Sequence, residues 1–303
     1  MFSPLVECVP NFSEGRKDTV IRALIDAVQA VPGVRLLDHT RDADHHRCVL
    51  TFAGAPDAVG EAAFRATVGA AARIDLRTHT GVHPRVGATD VIPFVPLRGV
   101  TMDECVSLVK QVGKRIGEEL KIPVILYEAA ATNPLRANLA EIRRGGLEHL
   151  TARMACDSNW ASDFGPATPH QTAGVTIVGV RGILVAFNVG LATNDLAVAK
   201  AIARAVRQSS GGLPSVKAIG VPLSGRSQVQ VAMNLVNIDE TPVHVAFEAV
   251  CREAEQRGVR ITGSELIGLV PRRAMEQARA AGIAIASLEP SSTLETRLEQ
   301  AGF

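Results

Sequence analysis

Thr78-His79-Thr80-Gly81-Val82-His83-Pro84-Arg85-Val86-Gly87-Ala88-Thr89-Asp90 runs without a break into Val91-Ile92-Pro93-Phe94-Val95-Pro96-Leu97. A loop punctuated by Gly81, Pro84 and Gly87 thus delivers the chain to an apolar run of strand character. A phosphate loop would end in Lys-Ser/Thr and open a helix, so this stretch is not one. It supplies instead the closing strand of an α+β unit. Two imidazoles, a guanidinium and a carboxylate sit on the lip of that strand, where a rigid scaffold commonly holds reactive side chains.

Working outward, Leu5 to Val9 reads as a strand. A helix from about Arg16 carries Val20, Leu24, Ile25, Val28 and Val31 at helical spacing and ends at Pro32-Gly33. Val34 to His39 and Arg47 to Ala53 read as two strands across a polar loop, and a helix follows Ala55-Pro56-Asp57. With Val91 to Leu97 the order is βαββαβ. It returns in the second half as a strand over Ile183–Val189, a helix over Asp195–Arg207, strands over Val216–Leu223 and Gln228–Val236, a helix over Pro242–Arg257 and an extended run over Arg260–Val270. The predicted fold is therefore α+β, two tandem ferredoxin-like (βαββαβ) subdomains with antiparallel sheets and helices on one face. A helix over Thr101–Leu120, a strand over Val124–Tyr127 and a helix near Leu135–Arg144 extend the first unit. Asp157–Thr172 is read as the joining loop and Gly174–Val180 as an added edge of the second sheet, so the expected subdomains are 1–172 and 173–303.

The chain has 303 residues, 47% of them hydrophobic and 21% charged, enough for two domains with their own cores. Lys plus Arg (32) and Asp plus Glu (31) nearly balance, so no global field draws the chain to nucleic acid or an anionic membrane. Neither partner is expected. Cys8, Cys48, Cys105, Cys156 and Cys251 form no CxxC pair, which argues against a disulfide framework or zinc site and for a reducing compartment. With no signal-like start and no membrane-length apolar run, the expected location is cytoplasmic. Asp42, Asp44, His45 and His46 look like a metal cluster but lack spaced partners and are read as a polar hairpin loop. Arg143-Arg144 and Arg272-Arg273 are too short for a nucleic-acid patch.

Leu5-Val6-Glu7-Cys8-Val9-Pro10-Asn11-Phe12-Ser13-Glu14-Gly15, Arg47 through Phe52 and Gly81 through Phe94 together resemble the formiminotransferase domain. That domain is found in formimidoyltransferase-cyclodeaminases and in stand-alone bacterial glutamate formiminotransferases. Further matches are Met102-Asp103-Glu104-Cys105, Asp163-Phe164-Gly165-Pro166, Ala186-Phe187-Asn188 and Leu266-Ile267-Gly268-Leu269-Val270-Pro271. The resemblance spans nearly the whole chain. It implies a homodimer that transfers the formimino group from N-formimino-L-glutamate to N5 of tetrahydrofolate, with tetrahydrofolate as cosubstrate and no tightly bound metal. A chain ending at Phe303 leaves no room for a cyclodeaminase domain, so a separate cyclodeaminase is the expected recipient of the product.

The resemblance puts the active-site histidine at His83, as a proton shuttle; His79 is the rival on residue type alone. An imidazole suits the task because it both donates and accepts near neutrality, and Pro84 fixes the torsion that follows His83. His79 is read as setting the loop or touching substrate. Donor and folate tail both carry carboxylates, for which Arg47 and Arg85 offer bidentate partners. Glu7 and Asn11 on the first strand, Asp38 and His39 at the end of the second, and Asp90 at the loop's exit complete the expected substrate contacts, Asp90 by orienting His83 or Arg85. The resemblance places folate along Phe164, Gly165, Pro166, Ala167, Thr168, Pro169, His170, Gln171, Thr172, Ala173 and Gly174, a loop that matches the family only at its ends. Two alternatives stay open from the residues: a folate-binding protein without turnover, and a metal-dependent formiminoglutamate hydrolase using His39, His45, His46, His79 and His83.

Overall fold

A computed structural model describes residues 3–81, 84–223, 228–283, 285–286 and 293–303. In chain order the elements are β1 (Leu5–Cys8), β2 (Asn11–Phe12), α1 (Asp18–Gln29), β3 (Arg35–Asp42), β4 (Arg47–Gly54), α2 (Pro56–Arg73), β5 (Thr89–Arg98), α3 (Met102–Glu119), β6 (Val124–Glu128), α4 (Leu139–Arg143), α5 (Gly146–Cys156) and β7 (Thr176–Val180). There follow β8 (Val185–Leu191), α6 (Leu196–Val206), β9 (Val216–Pro222), β10 (Val229–Leu235), α7 (Val243–Glu255), β11 (Ile261–Ile267), α8 (Arg272–Ala280), β12 (Ile285–Ala286) and α9 (Leu294–Gln300). Two compact units result, Met1–Arg181 and Gly182–Phe303.

In the first unit β3 pairs with β4, β4 with β1 and β2, and these with β5, all antiparallel. That is the ferredoxin-like order. Pro10 has no N–H and breaks the first strand in two, yet the ladder spans the break. The Val9 amide donates to the Pro93 carbonyl at 3.0 Å and the Leu50 amide to the Pro10 carbonyl at 3.1 Å. The apolar stripe of α1 buries Val20, Ile21, Leu24 and Val28. α2 lies between α1 and α3 and is lined with small residues (Gly60, Ala62, Ala63, Ala66, Gly69, Ala70), which lets both neighbours approach it.

The sheet then grows beyond the expected antiparallel core. β7 adds parallel to β5 and β6 adds parallel to β7. Gly174–Val180 is therefore an inner strand of the first sheet and no edge of the second, and the expected boundary at 172/173 moves to Arg181/Gly182. Asp157–Thr172 likewise belongs within the first unit. Side chains of β6 and β7 alternate between two apolar clusters. Val124, Leu126 and Val178 join α3 on one face. Ile125, Tyr127 and Ile177 join Ile142, Leu150 and Trp160 on the other. Cover on both faces is what parallel strands require, and it explains their unbroken apolar character. The helix expected near Leu135–Arg144 is shorter: a 3-10 turn over Pro134–Arg136 precedes α4, and Gly145 and Gly146, with φ of 76° and 69°, end α4 and begin α5, a helix the sequence reading did not include.

The second unit repeats the core order with β11, β8, β10 and β9 antiparallel, plus a parallel two-residue β12 beside β11. Val185, Phe187, Val189 and Leu191 of β8, and Val229, Val231, Met233 and Leu235 of β10, point to the helices, while the residues between them stay partly exposed. This is the period-two signature of a sheet with one covered face.

Candidate active site

The loop that follows α2 is pinned from within. The buried Asp90 carboxylate accepts from the Val86 amide at 2.6 Å and the Gly87 amide at 3.3 Å, and it pairs with Arg143 from α4. Arg85 turns elsewhere, to Glu148 and the Leu76 carbonyl, at a loose 3.4 Å each. Asp90 therefore fixes the loop backbone and Arg143, while Arg85, one of the two residues expected to be oriented by it, takes other partners. Ser13 adds a 2.7 Å bond from its hydroxyl to the Gly87 carbonyl. Val82 and His83 lie outside the described residues.

The loop read as the folate segment is anchored to this one directly. The Leu76 amide donates to the Thr172 carbonyl and the Ala88 amide to the Ala173 carbonyl, both at 2.9 Å; the Val175 amide donates to the Val86 carbonyl at 2.8 Å. Gly87 and Gly174 face each other in this strip, where a Cβ on Gly87 would lie 2.1 Å from the Val175 carbonyl oxygen and one on Gly174 2.3 Å from that of Val86. His170 and Gly174 close a turn by exchanging backbone bonds of 2.9 Å, and His170 Nδ1 accepts from the Ala173 amide at 3.1 Å. At the other end Phe164 packs against the main core and its carbonyl accepts from the Val124 amide. Between these anchors Ala167, Thr168 and Gln171 are exposed, and Pro166 and Pro169 half-buried. Gly165 and Thr172 complete the segment, exposed and half-buried.

Glu7 lies on β1 between Ala53 of β4 and Val95 of β5, its flanking Val6 and Cys8 in the helix-covered core. Burial pushes its carboxyl up to about 7, against the opposing pull of the Arg181 guanidinium. Asn11 on β2 donates to the Val9 carbonyl at 3.0 Å. Arg47, opposite Asp42 at the start of β4, is half-buried. Burial and the neighbouring Arg143 lower its pKa, while Asp90 and Asp42 oppose the shift. Asp38 and His39 sit on the edge strand β3, half-buried and exposed. His79 is half-buried and bonded to the His46 carbonyl at 3.0 Å. Reading by residue type passed over Arg143, Glu14, His46 and the pair Asp163–Arg136, in which the Asp163 carboxylate takes the Leu126 amide at 2.7 Å and the Arg136 guanidinium at 3.1 Å. Asp163 and Glu14 stood in quoted matches, His46 among the histidines of the hydrolase alternative and Arg143 in a basic pair; Arg136 carried no local signal.

A family model described as "Formiminotransferase domain, N-terminal subdomain" matches residues 5–181, and one described as "Formiminotransferase domain" matches residues 186–286. The chain belongs to the formiminotransferase family. It is 47% identical over 271 residues to a glutamate formimidoyltransferase of Streptococcus pyogenes, covering 89% of this chain and 90% of the relative. To one of Thermoplasma acidophilum it is 42% identical over 298 residues, covering 98% of each. The formimidoyltransferase-cyclodeaminase of Rattus norvegicus is 42% identical over 284 residues, 92% of this chain but 52% of that protein. The matched formiminotransferase subdomains fall on either side of the division between the two units.

The raised Glu7 carboxyl gives a signed expectation for stability. Its folded value, about 7, lies above the unfolded 4.5. Below pH 4.5 both states hold the proton and Glu7 is neutral in effect; between 4.5 and 7 the unfolded chain releases it first, so stability falls as pH rises. Glu7→Gln is expected to remove this loss, raising the urea midpoint at pH 8 relative to wild type and leaving it unchanged at pH 4. An equal shift at both values would show that the proton has no part in it.

Proposed function

We propose that this chain is a glutamate formimidoyltransferase, which moves the formimino group of N-formimino-L-glutamate to N5 of tetrahydrofolate. The observation that carries the reading is the agreement of both units with formiminotransferase subdomains, together with relatives of that name over nearly the full chain. In the reaction N5 attacks the formimino carbon and a tetrahedral intermediate forms. The bond from that carbon to the glutamate nitrogen then breaks. N5 loses a proton and the departing nitrogen gains one, and His83 is assigned that transfer. Arg47 and Arg85 are assigned the carboxylates, Glu7, Asn11, Asp38, His39 and His79 the remaining donor contacts, and Phe164 through Gly174 the folate. Asp90 is assigned to the loop that carries His83.

The chain is further proposed to act as a cytoplasmic homodimer, its product passing to a separate cyclodeaminase. No helix among the described residues is long and apolar enough to cross a membrane. The deciding experiment incubates purified protein with formiminoglutamate, with and without tetrahydrofolate and with and without a chelator. Loss of donor that needs folate and survives the chelator is the expected result. Folate binding without turnover would leave a binding protein, and folate-independent, chelator-sensitive loss would leave a hydrolase.

A further inference from the structure

Three loops meet beside the candidate site around His79, and the proposed reaction assigns no part to the two residues that support it there, Glu14 and His46. Glu14, between β2 and α1, is buried, and its Oε1 accepts from the Arg16 amide at 2.8 Å and the Lys17 amide at 3.0 Å. The same oxygen lies 3.0 Å from His46 Nε2. His46 Nδ1 in turn lies 2.9 Å from the Thr80 carbonyl oxygen. The His46 and His79 rings stack at 4.1 Å with 10° between their planes, and His79 Nε2 lies 3.0 Å from the His46 carbonyl oxygen. His46 holds this place at φ 51°, a left-handed backbone that a side chain rarely adopts unless its surroundings impose it. Gly81 seals the contact from the other side: a Cβ there would lie 2.7 Å from the His45 carbonyl oxygen.

The bonding pattern fixes protons. A carbonyl oxygen only accepts, so His79 carries its proton on Nε2 and, while neutral, offers a lone pair at Nδ1. Both nitrogens of His46 face acceptors, so both bonds form together only in the doubly protonated ring. Burial holds the His79 imidazole below its ordinary value. The His46 and Arg85 charges act in the same direction, while the bond to the His46 carbonyl and the Glu14 carboxylate oppose it. Burial would raise Glu14, but the Lys17 and Arg16 amides and His46 outweigh it and hold the carboxyl below its ordinary value.

We propose that Glu14 and His46 are positioning residues for formimino transfer: they hold His79 as the neutral Nε2–H tautomer, an acceptor at Nδ1, and fix the Thr80–Gly81 backbone that leads to His83. An acceptor suits the donor substrate, whose protonated formimino group bears N–H donors and no lone pair to offer. The idea rests on the proposed activity for its consequence in rate, but the tautomer is readable without turnover.

The test is long-range 1H–15N correlation of the ring nitrogens in the full chain, with steady-state rates across pH for Glu14→Gln and His46→Gln. Wild type is expected to show His79 neutral and protonated on Nε2 at pH 7. Misplacing a loop by about an ångström costs on the order of a hundredfold, so both variants are expected to lose about ten- to a hundredfold in kcat. KM for tetrahydrofolate should stay within about twofold, and the pH–rate profile should move with the His79 ring resonances. A His79 found as the Nδ1–H tautomer or as a cation at pH 7 overturns the proposal. So do variants whose profiles and His79 resonances superimpose on wild type. If neither variant folds, the wild-type spectrum decides; if formiminoglutamate is not turned over at all, the ring resonances of the variants still decide the positioning and only the proposed activity falls.

Discussion

His83→Asn is expected to lower turnover by about a hundred- to ten-thousand-fold, the span that general acid–base catalysis typically contributes. Asparagine keeps much of the shape and some hydrogen bonding of the imidazole but cannot carry a proton from N5 to the departing nitrogen. Tetrahydrofolate affinity should change by less than about tenfold, a difference of roughly 1.4 kcal/mol. His79→Asn should be milder, since it removes an acceptor and a stacked ring and leaves the shuttle. Steady-state rates with equilibrium dialysis of tetrahydrofolate measure both effects. Near wild-type turnover in His83→Asn, or a larger loss in His79→Asn with folate binding intact, would move the shuttle to His79.

Which parts of the molecule could be read in advance follows from how far apart their determinants lie. α1, α6, β8 and β10 were legible because their apolar residues recur at 3.6 or 2 along one short segment. β7 was legible as a strand and misplaced as to its sheet. Its run Thr176-Ile177-Val178-Gly179-Val180 is apolar on both sides, and nothing local in such a run names its neighbours. Its pairing with β5 and β6 depends on α3 and α4–α5 covering opposite faces, which only the folded unit displays. The break between α4 and α5 was in principle visible at Gly145-Gly146. The site divides the same way. Residues crowded into Thr78–Asp90 announced themselves, whereas Glu14, His46 and Arg143 gain meaning only through partners 32, 34 and 53 positions away in the chain. By residue type alone Asp42–His46 reads as a polar hairpin loop, and the structure places one of its residues, His46, between a buried carboxylate and the loop of His79.

The largest loss of stability is expected at Asp90. Its carboxylate is buried, holds the Val86 and Gly87 amides and pairs with Arg143, whose side chain is 13% exposed. Arg47 adds a second guanidinium to the same neighbourhood, where burial and then the Arg143 charge lower its pKa against the opposing pull of Asp90. Asp90→Ala would leave two loop amides without their acceptor and two crowded cations without the carboxylate between them. Removing one partner of a buried ion pair typically costs about 3–5 kcal/mol, so urea unfolding should show a loss of that order with an unchanged m-value. Asp90→Asn retains an oxygen for Val86 and Gly87 but loses the charge, and should fall between Ala and wild type. A second substitution, Arg143→Met, separates the two contributions. Removing one surplus cation should restore part of the stability to Asp90→Asn, and it should destabilise wild type, where Asp90 would lose its partner. A loss below about 1 kcal/mol in Asp90→Ala, the size of an ordinary surface change, would mean that the loop carrying His83 is held by its strip of bonds to Thr172–Val175 and not by the carboxylate beneath it.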